Sequence, residues 1–140
     1  MEHFFVFASR AVFALIAGMV MAFITRSKNA VLAFAFITMG ASTVCFISSE
    51  YLKHFSVFTN SDPGRLIAQV VVVVGFITGG VLLISGKEGK FDLSPYASMW
   101  LSSIIGIIIG IGMIKLAFMA VAAVFFIYYV TDTKLLKRFR

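Results

Sequence analysis

The residues best equipped for chemistry in this sequence sit together in one stretch, Asp62-Pro63-Gly64-Arg65-Leu66-Ile67-Ala68-Gln69. Asp before Pro is a good helix start, because the carboxylate accepts bonds from free N–H groups and proline fits the first turn. Helix capping therefore accounts for Asp62 and Pro63 without any further role. Arg65 and Gln69 ask for more. Spaced one helical turn apart, they share a face, with the guanidinium at the helix mouth and the amide deeper. An amide in an apolar helix leaves donors and acceptors unpaired unless something meets them. Arg10 is the other costly residue, since a charge at a bilayer centre costs about 2.5–3.5 kcal/mol on insertion scales. It lies well inside the apolar run that opens at Phe4. Two readings of it stand side by side. Arg10 either anchors its helix by reaching outward to the interface, or faces a partner carboxylate such as Asp62.

Other chemistry is poorly represented. Gly80 to Lys87 has a faint look of a phosphate-binding loop, but the spacing to Gly86 is too long and Glu88 stands where Ser or Thr is needed. No Gly-x-Ser-x-Gly occurs. His3 and His54 are isolated, without metal-ligand spacing, and suit the interface better. Cys45 is the single cysteine, so no internal disulfide can form. No acidic residue falls deep in an apolar run, which argues against proton coupling through one. The expectation is a protein that is not an enzyme, with no cofactor and no metal.

These residues are carried by elements of one kind. The 140 residues are 61% hydrophobic and only 13% charged, too few charges to coat a soluble domain. Two prolines suit long uninterrupted helices. The apolar runs are long enough to cross a bilayer, which takes about 20 helical residues for a ~30 Å core. The start, Met1-Glu2-His3, lacks the basic region and cleavage site of a signal peptide, so the first span is expected to stay uncleaved. A net charge of +6 raises nucleic acid as a partner. However, Lys134, Lys137, Arg138 and Arg140 follow the last apolar run, where a cytoplasmic anchor explains them more simply. The expected surroundings are lipid bilayer, not nucleic acid.

Spans are expected at about 4–24, 30–49, 65–85, 96–114 and 116–131, in one transmembrane domain covering 1–140. The last two come from a single apolar stretch from Tyr96 to Thr131, far longer than a ~30 Å core needs. A break near Gly110, Gly112 and Lys115 divides it. The fold class is thus an all-α integral membrane protein, a bundle of about five transmembrane helices. With the basic tail inside, five spans put the N-terminus outside and the C-terminus in the cytoplasm. Eight basic residues are then inside against Lys53, Arg65 and Lys115 outside, a better separation than four spans give. Arg10, Glu50, Asp62, Arg65, Gln69 and Lys115 all fall toward the outer side in this scheme. They form either a pocket for an ion, a headgroup or a protein, or a structural ion-pair network. Small residues mark close helix approaches: Ala14, Gly18 and Ala22 in the first span, Gly75 and Gly79 in the third, Gly106 and Gly110 in the fourth. Such faces serve packing within one chain or the seam of a homodimer.

The segment Asp62, Pro63, Arg65, Ala68-Gln69-Val70-Val71, Gly75-Phe76, Gly79-Gly80-Val81 resembles the membrane domain of the MgtC/SapB family of bacterial inner-membrane proteins. Trp100 after Ala97-Ser98-Met99, and then Ile105-Gly106, match the family's next span, and Arg10, Ala14 and Gly18 match its first. Ile24-Thr25-Arg26 stands where family members usually carry Glu-Arg-Glu, and Val31–Phe34 where they carry Leu-Arg-Thr-His. Many members also have a soluble cytoplasmic domain after the fifth span. The resemblance implies an inner-membrane location and a link to growth in low magnesium and survival in host cells. It implies action by regulating membrane partners, ATP synthase among them, rather than by transporting magnesium. A small ion or solute transporter, with the outer polar group as its entrance, is the competing expectation.

Overall fold

A computed structural model describes residues 1–55, 64–87 and 93–131 of the chain. The described residues form five α-helices: α1 (Glu2–Ile24), α2 (Val31–Phe55), α3 (Gly64–Lys87), α4 (Ser94–Ile111) and α5 (Ile114–Val130). A 3-10 turn at Lys28–Ala30 leads into α2. Helices α1 to α4 are each long and apolar enough to cross a membrane. Helix α5 has 17 residues, about 25 Å at 1.5 Å per residue, slightly short of a ~30 Å core. A shortfall of that size is absorbed by local thinning of the bilayer or by flanking residues. The protein is an all-α, multi-pass membrane protein.

Side-chain contacts fix the directions of the helices. His3 at the start of α1 meets Glu50 near the end of α2 at 3.4 Å. Tyr96 at the start of α4 bonds Ser85 near the end of α3 at 2.6 Å. Ser94 at the start of α4 lies 2.5 Å from Tyr128 near the end of α5. Neighbours in sequence are therefore antiparallel, and α2 and α4 run parallel to each other. The tightest packing joins these two and α1, while α3 rests against α4 and α2 and α5 against α4 and α1. Helices α1 and α3 do not meet. Among the described residues, α4 is the most enclosed helix and α3 the most exposed of the four long ones.

Glycines let the central helices touch. A methyl group on Gly18 would lie 2.6 Å from the Phe34 carbonyl oxygen and 2.7 Å from Thr38 Oγ1. One on Gly110 would lie 2.5 Å from the Ser42 carbonyl oxygen, and one on Gly106 would overlap the Thr38 carbonyl. Helices α1 and α4 thus both lay a small-residue face against the middle of α2. The facing residues on α2 are themselves small: Ala35, Thr38, Ala41, Ser42 and Cys45 are all buried. Phe34, Met21 and Ile105 fill the space around these contacts and are fully buried. In lipid, close backbone approach of this kind replaces the hydrophobic drive that assembles water-soluble bundles. The hydroxyls buried here are satisfied locally, as Thr38 donates to the Phe34 carbonyl at 2.7 Å and Ser102 to the Met99 carbonyl at 2.8 Å. No buried side-chain nitrogen or oxygen among the described residues lacks a partner.

Two helices end in the same motif with different residues. Helix α4 closes on Gly112 with φ +99, whose N–H bonds the Ile109 carbonyl while Met113 N–H bonds the Ile108 carbonyl. This is the Schellman ending, in which a left-handed residue pairs the last free carbonyls. It divides the long apolar stretch into α4 and α5. Helix α1 ends alike: Arg26 N–H bonds the Phe23 carbonyl and Ser27 N–H the Ala22 carbonyl. There the left-handed residue is Arg26, with φ 57. A side chain in this conformation costs on the order of 1–2 kcal/mol that glycine avoids.

Candidate functional site

Arg10 lies about two turns into α1 from its start and reaches across to the far end of α4. Its Nη1 donates to the Gly110 carbonyl oxygen at 2.7 Å, and its guanidinium carbon sits 5.3 Å from the centre of the Phe46 ring. The last carbonyls of a helix carry its negative dipole end and lack partners within the helix, so a cation there is held favourably. Gly112 makes room for it, since a side chain at that position would begin 2.7 Å from Arg10 Nη2. Among the described residues the hydrogen-bond partner of Arg10 is thus a backbone carbonyl, not a carboxylate. Asp62, the carboxylate considered for it, lies outside the described residues.

Arg65 and Gln69 are both exposed on α3. The same side of that helix carries Val72, Phe76 and Leu83, with Phe76 83% exposed. The opposite side holds Val74 and Thr78, which are buried against the bundle. Because α1 and α3 stand on opposite sides of the α2–α4 pair, Arg10 does not join Arg65 and Gln69 in one pocket. Lys115 is exposed at the start of α5. Glu50 pairs with His3. The single outer polar group expected from the sequence is therefore divided between separate places. Membrane depth alone does not say on which side of a helix a residue points.

The glycine faces also divide. Gly18, Gly106 and Gly110 lie in the central contact described above. A methyl placed on Gly75 lies at an ordinary 3.7 Å from the Trp100 ring, and none of the described residues comes within 4 Å of one placed on Gly79 or Gly80. Among the described residues no tight contact runs through Gly75 and Gly79, because α3 turns that side outward. Among the described residues, no group of three or more His, Cys, Asp or Glu could hold a metal ion.

A family model described as the MgtC family matches residues 11–135, from α1 through the end of α5. The chain belongs to the MgtC family. Among curated MgtC-family relatives, Protein MgtC of Brucella abortus is 34% identical over 91 residues, covering 65% of this chain and 34% of the relative. "Putative magnesium transporter YhiD" of Escherichia coli K12 is 42% identical over 55 residues, covering 39% of this chain and 25% of the relative. An uncharacterized protein of Haemophilus influenzae is 28% identical over 119 residues, 81% of this chain and 50% of that protein. The matched segments thus span no more than half of these relatives' lengths. No solved structure matches the chain.

Two features of this MgtC-family bundle escaped the sequence reading. Helix α2 was seen only as a span, although Ala35, Thr38, Ala41, Ser42 and Cys45 recur at helical spacing and mark the central contact surface. Nothing in the sequence around Arg26 announces a left-handed arginine.

Proposed function

We propose that this chain is a non-enzymatic inner-membrane protein that regulates membrane partners during adaptation to low magnesium. The observation that carries the reading is the outward side of α3. It presents Arg65 and Gln69 above an apolar surface with two open glycines, and among the described residues no element covers it. Lipid satisfies neither the amide nor the guanidinium along a spanning helix, whereas a partner helix with a carboxylate and a hydrogen-bonding residue at matching depths satisfies both. The interior supports the same view. The α1–α2–α4 contact is closed by glycines set against carbonyls, and its hydroxyls are used within their own helices. Among the described residues, no buried side-chain nitrogen or oxygen there is left unpaired for an ion. Family membership and the names of the relatives support the link to magnesium.

The test is a photo-reactive residue in place of Phe76, in cells grown in low magnesium. Adducts with another membrane protein are expected, and they should vanish when Arg65→Ala is added. Arg65→Ala should also abolish growth support in low magnesium while leaving thermal stability in detergent unchanged, because an exposed cation contributes about 0–1 kcal/mol to folding. Arg65→Lys should rescue poorly, since lysine lacks the planar fork. Full growth support by Arg65→Ala would leave Arg65 with a structural role only. The second reading, a small magnesium-related transporter, is favoured by the name of the Escherichia coli relative.

A further inference from the structure

At the opposite end of the bundle from Arg10, the structure holds a cleft of about 760 Å³ between the end of α1, the start of α4 and the end of α5. Its wall is of two kinds. Phe23, Phe125 and Ile127 line it with apolar surface and are each more than half exposed on the outside of the bundle, where acyl chains run. Thr25, Ser94 and Tyr128 line it with hydroxyls, and Tyr128 lies 2.5 Å from Ser94 and 3.0 Å from Ser98. Arg26 stands at the same wall and supplies the positive charge. Helix directions bring the ends of α1, α3 and α5 and the start of α4 to this side of the membrane. The sequence segments joined there hold eight basic residues against Glu88, Asp92 and Asp132.

We propose that this cleft binds a phosphate-bearing anionic lipid, with Arg26 holding the phosphate and Phe23 and Phe125 holding the first part of an acyl chain. A planar guanidinium at the wall of the cleft suits phosphate oxygens. An apolar wall open to the bilayer suits the chains attached to that phosphate, and the excess of basic over acidic residues in the sequence segments that follow α1, α3 and α5 favours an anionic headgroup over a zwitterionic one. The backbone of Arg26 separates the role of its side chain from folding. Glycine is the ordinary residue at this left-handed position, and the chain does use glycine for the matching turn at Gly112.

The full chain in detergent would be titrated with dioleoyl phosphatidylglycerol, dioleoyl phosphatidylcholine or inorganic phosphate, followed by native mass spectrometry and thermal melting. Phosphatidylglycerol should bind about tenfold more tightly than phosphatidylcholine, with inorganic phosphate protecting only weakly. Arg26→Gly should raise the melting temperature of the lipid-free protein and weaken phosphatidylglycerol binding about tenfold. Arg26→Asn, which also tolerates the left-handed conformation, should weaken binding alike, and Arg26→Lys, which keeps the charge without the planar fork, should retain only part of it. Equal binding of the two lipids, or undiminished phosphatidylglycerol binding by Arg26→Gly and Arg26→Asn, would overturn the site. Protection by inorganic phosphate as strong as by phosphatidylglycerol would overturn its assignment to a lipid.

Discussion

Arg10 shows how an intramembrane charge is offset by several modest terms. Its insertion cost of about 2.5–3.5 kcal/mol faces a charge-assisted hydrogen bond of about 1.5–3 kcal/mol to Gly110. The Phe46 ring adds about 0.5–2 kcal/mol and the end of α4 about 0.3–1 kcal/mol. Gain and cost nearly cancel, so the charge itself hardly stabilises the fold. Arg10→Met, which removes both, should therefore change stability in detergent by no more than about 1 kcal/mol. Arg10→Lys should do worse, by about 1–2 kcal/mol, because it keeps the cost of the charge while losing the fork and much of the ring contact. Thermal melting in one detergent would rank the two variants, and the opposite order would contradict this account of Arg10. The sequence made Arg10 conspicuous, since a charge in an apolar run always is. Its partner was not legible, because a backbone carbonyl has no residue type to read.

The helices themselves were easier to read than their faces. Apolar runs and the glycines near residue 110 were enough to anticipate five helices and the break between α4 and α5, as both follow from length and turn chemistry. Facing depends on which neighbours exist, and there identical signals diverged. Gly106 and Gly79 both belong to small-residue pairs, yet one is pressed against α2 and the other is open. Gly106→Leu or Gly110→Leu should force α4 off α2 and cost about 1–3 kcal/mol or more, seen as lower folded yield and an earlier melt. Gly79→Leu should leave the melt of the isolated chain unchanged while weakening cross-linking from the outward side of α3. An equal loss of stability at Gly79 would show that α3 packs differently from the structure. Arg65 and Gln69 follow the same lesson. Their sharing of one helix face was legible from spacing, but the separation of that face from Arg10 required the three-dimensional order of the helices.

For the whole molecule, the antiparallel succession of helices places the N-terminus and the end of α5 at opposite ends of the bundle. Which side is which rests on charge. With eight basic residues on the side of the α1–α2 turn and the tail, the prediction is an outside N-terminus and a cytoplasmic C-terminus. Reporter fusions at both ends should give opposite signals in that sense, and two cytoplasmic ends would contradict the five-span arrangement. The same arrangement bears on the proposed function, because a protein that acts on neighbours needs an exposed helix side, such as that of α3 among the described residues, rather than a path through the α1–α2–α4 centre. Magnesium influx into proteoliposomes containing the purified chain tests this most directly. Regulation through partners predicts influx no greater than into protein-free liposomes, and saturable influx that Arg65→Ala abolishes would contradict it and establish the transporter instead.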